Sequence, residues 1–408
     1  MTPRSFLFLQ GCTSFFFGQL ADRLRSHGHA VSRINFNVGD AVYWGMRPAW
    51  NFRDDLAVLP AFMAEKFRTG GITDVVMLGD TRPVHAPALA IAARCGVRVH
   101  VFEEGYFRPS WLTLERGGIN GYSRLPRDPR WYHEVAARVP DAGECIHVPN
   151  PVWLLALHEA CYHLPSLANP LFYPGYHTHR PQVSAVEFAG WGRRYAVLSW
   201  HQRRDYACIA RRVVGAEPFF VFPLQLDSDS QIAVHSPFDR MVDALWQVMQ
   251  SFAQHAPGEA RLVVKNHPLD TGFAHYGRQV DRLAQHFHIA GRVDYLETGH
   301  LPALLERARG MVTINSTAGT AALAQGCPTL ALGQAVYALP GLTFQGPLDA
   351  FWREAEPPDA VLFRAFRNVV IHTTQVNGGF YTHQGMDLAI ENSLRKLEPE
   401  RSLLEEWL

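Results

Sequence analysis

The sequence predicts an α/β protein made of two Rossmann-like domains that face each other across a cleft. Short apolar runs end abruptly at polar, Pro or Gly residues, as buried parallel strands do. Helical stretches separate these runs, and the second half of the 408-residue chain repeats the same rhythm. We place the domains at residues 1–183 and 184–357, followed by a helical tail at 358–408.

In the first half, four predicted strands alternate with helices. Right-handed crossovers between such strands predict a parallel sheet. From 107 to 149 the alternation gives way to a region rich in Pro, Gly and Arg, which we predict to form functional loops. The predicted strands are 5–10, 30–36, 74–79 and 97–102, and the predicted helices are 15–27, 56–68 and 87–95.

In the second half the alternation resumes after a connection at 151–195, which contains a predicted helix at 152–163 and a linker with His177 and His179. Apolar residues at helical spacing predict a core-facing helix at 237–255. The other predicted elements are strands at 218–224, 262–265, 311–314 and 329–332, and a helix at 195–213. Residues 351–352 and 361–371 begin a predicted helical tail that ends near residue 408. Two facing domains of this kind are the GT-B arrangement of nucleotide-sugar glycosyltransferases.

Composition excludes several classes of protein. Lys plus Arg and Asp plus Glu both number 38, so there is no basic surplus for nucleic acid. The six cysteines are scattered, which predicts reduced thiols in a cytoplasmic protein and neither disulfides nor a zinc site. The apolar run at 6–9 is too short for a signal core, and no segment approaches the ~20 apolar residues of a membrane span.

Polar residues follow two predicted strands of the second half. His267 and Pro268 end one strand, and Asn315, Ser316 and Thr317 end another, ahead of a small-residue helix. Ligands bind at the carboxyl edge of such sheets, and a hydroxyl-capped helix start attracts phosphate. The residues therefore predict a nucleotide-phosphate pocket. The alternatives are a histidine that only satisfies local hydrogen bonds and a plain helix cap.

Weaker candidates flank this pocket. Lys265 and Asn266 precede His267 and are weaker candidates, because neighbouring side chains on a strand face apart. The loop after strand 218–224 contains Gln225, Asp227, Asp229 and Gln231. Its two carboxylates fit a Mg²⁺ site or a capped turn ahead of the next helix. No histidine shows a ligand spacing, so we predict no metal.

Glu103 and Glu104 end a buried strand of the first half, where adjacent carboxylates are costly unless they reach a cleft. Because strand side chains alternate, we expect one of them to face a substrate. Glycosyl transfer uses carboxylates as base, nucleophile or cation stabiliser. The alternative is a structural ion pair with Arg98 or Arg108.

Taken together, the motifs resemble the capsule polysaccharide biosynthesis proteins of the KpsS/LipB type over most of the chain. In place of an expected Pro-x-Ser, residues 12–14 are CTS. In the first half the matching motifs are FLQG at 8–11, RIN at 33–35, GD at 39–40, EEGY at 103–106, WLTLE at 111–115 and GIN at 118–120. In the second half they are PLQ at 223–225, DSDSQ at 227–231, HSPF at 235–238, KNHP at 265–268, NST at 315–317, GLT at 341–343 and FW at 351–352.

The resemblance implies a cytoplasmic enzyme, peripheral to the inner membrane, that works with the capsule export machinery. Its implied reaction moves Kdo from CMP-Kdo to a phosphatidylglycerol-type lipid acceptor, with a β-linked product and net retention. The glutamates, the His-Pro and the Ser-Thr motif also resemble the three short motifs of bacterial sialyltransferases. The implied donor leaves as a monophosphate, which needs little help from a metal, so no cofactor is expected.

The candidate site has three parts. The nucleophile of a retaining reaction stays open, with Asp40, Asp80 and Asp227 as equal alternatives. The catalytic candidates are Glu103, Glu104 and Asp227; the donor-binding candidates are Gln225, Lys265, His267, Pro268, Asn315, Ser316 and Thr317; the acceptor or cleft candidates are Asn35, Asp40, Asn120 and Gln231.

Two other functions fit the same residues. One is a transferase or epimerase that acts on a UDP-sugar, and the other is an export adaptor that binds capsule glycolipid without turnover. If the protein contacts a membrane, its composition points to the aromatic and Arg-containing loops at 106–111 or 124–131.

Overall fold

A computed structural model describes residues 2–176, 184–227 and 229–408, and the predicted domain boundary and the His177–His179 linker lie outside the described residues. The chain divides into two compact units. The first comprises Met1–Leu125, Val139–His179 and Asn368–Leu408, and the second comprises Pro126–Arg138 and Arg180–Arg367. This division differs from the predicted one, since most of the expected tail belongs to the first unit.

Twelve strands and seventeen α-helices are present in the described residues. The strands are β1 Ser5–Phe8, β2 Ala30–Asn35, β3 Ala49–Asn51, β4 Asp74–Leu78, β5 Arg98–Glu104, β6 Trp111–Arg116, β7 Phe219–Pro223, β8 Arg261–Lys265, β9 Val293–Leu296, β10 Gly310–Thr313, β11 Thr329–Ala331 and β12 Gln375–Asn377. The helices are α1 Phe16–Ser26, α2 Val38–Trp44, α3 Leu59–Thr69, α4 Ala86–Cys95, α5 Pro129–Ala136, α6 Val152–Ser166, α7 Asn169–Phe172, α8 Ser184–Val214, α9 Ser230–His235, α10 Met241–His255, α11 Tyr276–His286, α12 Leu301–Leu305, α13 Ala318–Ala324, α14 Leu348–Glu354, α15 Ala360–Thr374, α16 His383–Leu397 and α17 Leu403–Trp407.

The first unit contains a seven-stranded sheet in the order β12-β6-β5-β4-β1-β2-β3. Strands β1 to β5 are parallel, as the crossover rule predicts. The expectation of a parallel sheet is wrong at one side, because β6 and β12 extend the sheet in antiparallel pairs. Strand β6 lies in the region predicted as loops, and β12 lies in the predicted helical tail.

Alternate residues of β1 enter two different cores on the two faces of this sheet. Phe6 and Phe8 pack with apolar residues of α1 and α16. Leu7, and Leu9 immediately after the strand, pack with those of α3 and α4. Helices on both faces and period-two burial are the marks of a doubly wound sheet. The carboxyl ends of β1, β2, β4 and β5 therefore meet at one edge.

The second unit contains a five-stranded parallel sheet in the order β11-β10-β7-β8-β9. Val264 packs on one face with α10, α11 and α14, and Val263 packs on the other with α8, α12 and α13. The chain reverses its direction of travel across the sheet between β7 and β10, which makes this the topological switch point. The predicted fold class, α/β with two Rossmann-like units, is confirmed.

No helix among the described residues combines the length and the apolar composition that crossing a bilayer requires.

Candidate functional site

Two amide side chains connect the ends of β7 and β10 at the switch point of the second unit. Gln225 Nε2 donates to Asn315 Oδ1 (3.0 Å), and the Asn315 backbone N–H donates to Gln225 Oε1 (3.2 Å). Asn315 Nδ2 also donates to the carbonyl of Gln231 (2.8 Å). Because these bonds fix two strand ends on either side of the crevice where ligands bind in such sheets, Gln225 and Asn315 shape the candidate donor site.

His267 follows β8 in a hydrogen-bonded turn that sets the tautomer of its ring. The backbone N–H of Leu269 donates to His267 Nδ1 (3.1 Å), so Nδ1 is an acceptor and the neutral ring carries its proton on Nε2. Pro268 is exposed in the same turn. An imidazole held with its N–H on Nε2 is a donor suited to a phosphate oxygen, which is the role predicted for His267.

Ser316 and Thr317 precede α13 in different ways. Ser316 Oγ accepts from the backbone N–H of Ala318 (3.2 Å), so the predicted hydroxyl cap is present at Ser316. Thr317 occupies the N-cap position but its side chain makes no cap hydrogen bond, so Ser316 is the residue of the predicted pair that caps the helix. The Tyr337 hydroxyl donates to the Ser316 carbonyl (2.5 Å), and a Cβ on Gly319 would lie 2.2 Å from the Tyr337 ring. This contact requires glycine in the first turn of α13.

Lys265 is the last residue of β8 and is 5% exposed. Burial lowers its pKa to about 8, and the positive charge of Arg194 adds to the effect while Asp205 opposes it. Its Nζ donates to the Asn266 carbonyl (3.3 Å). Lys265 follows Val263 by two residues and so shares the sheet face against which α13 packs. A buried ammonium on that face strengthens Lys265 as a candidate for binding an anion.

Asp227 and Asp229 both cap helices. Asp227 Oδ1 accepts from the backbone N–H of Met241 at the start of α10 (3.1 Å), and Asp229 Oδ1 accepts from that of Gln231 in α9 (3.0 Å). This is the capped turn that the sequence left as an alternative to a Mg²⁺ site. Gln231 Oε1 is buried and has no hydrogen-bond partner in the described part of the chain. A catalytic role for Asp227 remains a prediction.

In the first unit, Glu103 and Glu104 leave β5 on opposite faces of the sheet. Glu104 follows Phe102, which packs with α1 and α16, whereas Glu103 follows Val101, which packs with α3 and α4. The Glu104 backbone N–H donates to Glu103 Oε1 (3.1 Å). Arg98, one of the alternative ion-pair partners, contacts Asp74 (2.9 Å). Only one of the two glutamates can therefore face a given substrate.

A buried polar cluster lies on the face that Glu103 shares. The Tyr106 hydroxyl donates to Glu115 Oε1 (2.6 Å) and accepts from the backbone N–H of Asn120 (2.9 Å). Asp80 Oδ2 accepts from the backbone N–H of Ile119 (2.9 Å). Glu115 reaches this face because it pairs with Val101 across β5 and β6. The cluster joins three of the sequence motifs into one structure.

Asp80 differs from the other carboxylates of this edge. It is 2% exposed, and burial raises its pKa above the usual range. Its Oδ1 has no hydrogen-bond partner among the residues that the structure describes. It also lines a cavity of about 600 Å³ together with Tyr122 and Arg116. A carboxyl group with a raised pKa and a buried oxygen that lacks a partner in the described residues is suited to acid–base or nucleophilic chemistry.

Asp40, in contrast, is saturated with partners and fully buried. Its Oδ1 accepts from Arg33 (2.7 Å) and from the Tyr162 hydroxyl (3.0 Å), and its Oδ2 accepts from a backbone N–H after β2 (3.1 Å). Asn35 Nδ2 donates to Asn51 of β3 (3.1 Å). Asp40 and Asn35, both predicted for the acceptor side of the site, therefore hold neighbouring elements of the first unit together.

Comparison with known proteins now identifies the family. The model for capsule polysaccharide biosynthesis proteins matches residues 73–381. Capsule polysaccharide modification protein LipB of Neisseria meningitidis serogroup B (strain ATCC BAA-335 / MC58) is 37% identical over 394 residues, which cover 93% of this chain and 92% of LipB. Capsule polysaccharide export protein KpsS of Escherichia coli is 34% identical over 390 residues, which cover 93% of this chain and 98% of KpsS. The chain belongs to the capsule polysaccharide biosynthesis protein family.

Among solved structures, the capsule biosynthesis protein matches the β-Kdo 2,7 transferase of Thermosulfurimonas dismutans KpsC. The identity is 14% and the TM-score 0.45, with 96% of this chain and 99% of that chain covered. A glycosyltransferase from Rickettsia africae matches at 10% identity and a TM-score of 0.38, with 97% and 98% covered. Likenesses this distant add nothing to the assignment of an activity.

The candidate residues of this capsule biosynthesis protein form two sets, one in each unit. Sequence reasoning missed Arg82, whose Nη1 donates to Gln10 Oε1 (3.1 Å) at the switch point of the first sheet, between β1 and β4. It also missed the Tyr106–Glu115 contact. The signal for that contact was the WLTLE motif, which ends in a carboxylate at a position where an apolar strand residue is expected.

Proposed function

We propose that this protein is a Kdo transferase that starts the lipid linker of a Gram-negative capsular polysaccharide. It takes β-linked Kdo from CMP-Kdo to a (lyso)phosphatidylglycerol-type acceptor at the cytoplasmic face of the inner membrane and passes the product to the export machinery. Family membership over 93% of the chain supports a role in capsule assembly. The choice of sugar and acceptor follows from the resemblance of the motifs.

The observation that carries the proposal is a set of groups, of the kind that bind phosphate, at the carboxyl ends of β8 and β10 in the second sheet. His267 presents an N–H on Nε2, Lys265 supplies a buried ammonium, and Ser316 lies at the start of α13. Hydrogen-bond donors and a positive charge at such an edge stabilise an anionic leaving group. In our proposal they hold the phosphate of the cytidylate while the glycosidic bond breaks.

A carboxylate must act on the sugar, and the geometry of the first unit supports Asp80 with Glu103 over the alternatives. Asp40 has both oxygens engaged, and Asp227 caps α10. Asp80 keeps one oxygen without a partner in the described residues and has a raised pKa. Glu103 leaves β5 on the same face as the cluster that holds Asp80. We propose that these two groups supply the catalytic carboxylate, with no metal involved.

Incubating the purified protein with CMP-Kdo and short-chain lysophosphatidylglycerol tests the proposal. The expected result is release of CMP together with a new glycolipid one Kdo heavier than the acceptor, seen by mass spectrometry. UDP-sugars in parallel reactions should give no product. If CMP is not released with any lipid acceptor, while the protein still binds capsule glycolipid, the export-adaptor function is correct and the transferase function is not.

A further inference from the structure

Helix α6 in the first unit turns its polar side chains inward and its apolar side chains outward. Of its fifteen residues, the two that are buried are Glu159 and Tyr162. Trp153, Leu157 and Leu164 are instead 68%, 51% and 66% exposed. A helix on the surface of a globular protein normally has the opposite arrangement, with its apolar stripe against the core. The exposed stripe of α6 therefore needs a partner other than this unit's core.

Hydrogen bonds hold α6 in this orientation. Thr13 Oγ1 donates to Glu159 (2.7 Å), and the Tyr162 hydroxyl donates to Asp40 (3.0 Å). Ser166 Oγ accepts from a backbone N–H in α2 (3.2 Å). Rotating the helix to bury its leucines would break these bonds and leave buried polar groups unpaired, which is unfavourable. The outward direction of the leucines is thus fixed by the fold.

The exposed stripe continues into α7, and we call the whole surface the apolar face. It consists of Val152, Trp153, Leu157, Leu164, Leu167, Leu171 and Phe172, which are 51–83% exposed. Residues 146–176 contain no Lys or Arg, and their single acidic residue is the inward-facing Glu159, although charged residues make up 19% of the chain. The apolar face therefore presents no formal charge.

The chemistry of the apolar face favours a lipid bilayer over a protein as its partner. A protein interface surrounds its apolar centre with a polar rim and forms about one hydrogen bond per 100–200 Å². The polar side chains of α6 that could form such a rim instead make hydrogen bonds within the first unit. His158 Nδ1, for example, lies 2.9 Å from the Tyr43 hydroxyl oxygen. An uncharged, carbon-rich face complements the acyl region of a bilayer. At fifteen residues, α6 is shorter than the ~20 needed to span the bilayer, so it would lie along its surface.

We propose that α6 and α7 form a membrane-docking surface that inserts the apolar face into a phospholipid bilayer. This surface differs from the loops at 106–111 and 124–131 that composition suggested; in the first of these loops Tyr106 and Phe107 are only 2% and 9% exposed. Because the face has no charge, docking does not depend on anionic lipid and is not weakened by salt. The inference deepens the proposed action on a lipid acceptor by naming the surface that brings the protein to it.

A fluorophore on a native cysteine reports insertion directly. Cys161 is exposed on α6, between Leu157 and Leu164, and Cys95 is exposed on α4. Two variants of the full chain each keep one of these cysteines, with the other and Cys145 replaced by serine. On adding phosphatidylcholine vesicles, an environment-sensitive probe at Cys161 should shift its emission to the blue, and the same probe at Cys95 should not. Equal responses at both positions overturn the proposal.

Substitutions then test the energetics by sedimentation with the same vesicles. Leu157→Asp and Leu164→Asp should each lower the partition coefficient by about tenfold or more, because each removes a leucine that leaves water on docking. Val361→Asp, at a residue 57% exposed in the second unit, is the matched control and should bind as the wild type does. Far-ultraviolet circular dichroism shows that each variant is folded.

Other results overturn the proposal. They are unchanged binding of the leucine variants, loss of binding in high salt, or a lipid-independent dimer that Leu157→Asp dissociates, which would make the face an interface between two copies. Vesicle binding is measured without CMP-Kdo, and transfer to a short-chain acceptor is measured without vesicles. A docking failure is therefore distinguishable from a failure of the proposed transferase function.

Discussion

Replacing Lys265 with methionine should remove a pH-dependent contribution to the stability of the second unit. Burial lowers the pKa of Lys265 from 10.5 to about 8 in the folded protein. Between these two pH values the unfolded chain binds a proton at this lysine and the folded protein does not. The free energy of unfolding of the wild type therefore rises with pH across this window, because stability increases with pH wherever the unfolded state binds more protons.

The size of the effect follows from the same two values. The difference between 10.5 and about 8 corresponds to roughly 3 kcal/mol, at 1.36 kcal/mol for each tenfold change in proton affinity. At neutral pH the buried ammonium is still charged, so the free energy of unfolding of the wild type is lowered by this whole amount. Methionine has a similar length and no charge, so the Lys265→Met protein should be the more stable at neutral pH and should lose the advantage toward pH 10.

Urea unfolding of both proteins from neutral pH to about pH 10 measures the effect. The difference between their free energies of unfolding isolates Lys265, because the other groups that titrate in this range are common to both. Lys66→Met, which removes a lysine from the first unit, controls for the loss of one positive charge. Parallel pH profiles for the wild type and Lys265→Met would refute the reasoning. If the donor phosphate binds beside Lys265, saturating CMP should move the wild-type inflection to higher pH.

Three further substitutions separate catalytic from structural groups. Asp80→Asn removes a buried carboxyl whose pKa is raised, so the melting temperature of this variant at neutral pH should equal or exceed that of the wild type. The proposed Kdo transfer should fall by about 100-fold or more. A fall in stability with activity intact would contradict this. Asp40→Asn leaves Arg33 buried without its ion pair and should lower the free energy of unfolding by about 3 kcal/mol in urea titrations. His267→Ala should raise KM for CMP-Kdo in the proposed reaction at least about tenfold, measured by CMP release. Leu269→Ala, which keeps the backbone N–H that donates to His267 Nδ1, is the matched control in the same turn.

The sequence predicted those strands that have a distinct apolar pattern of their own. Strands β7 and β8 are apolar runs that stop at polar or Pro residues, and they lie within a residue of their predicted positions. Strands β3, β9 and β12 have only three or four residues each, and β12 has one apolar residue in Gln375–Asn377. Such segments become strands because a partner strand supplies their hydrogen bonds, which local periodicity cannot reveal.

The candidate site was predictable to a similar extent. Chain position alone places His267 and Ser316 at one sheet edge, since both follow parallel strands. It could not distinguish Asp40 from Asp80 as a candidate nucleophile. The distinction depends on partners such as Tyr162, which is 122 residues from Asp40 in sequence, and on an oxygen of Asp80 left without a partner in the described structure.

Strand β12 has a consequence for how this protein is made. It pairs with β6 through contacts such as Gln375 with Thr113, so a strand from the end of the chain completes a sheet that begins at residue 5. During synthesis from the N-terminus, β6 stays an open edge while the whole second unit is translated, and an open edge can pair with other chains. A nascent chain stalled before residue 375 therefore carries an unfinished first unit, which Asn368–Leu408 completes.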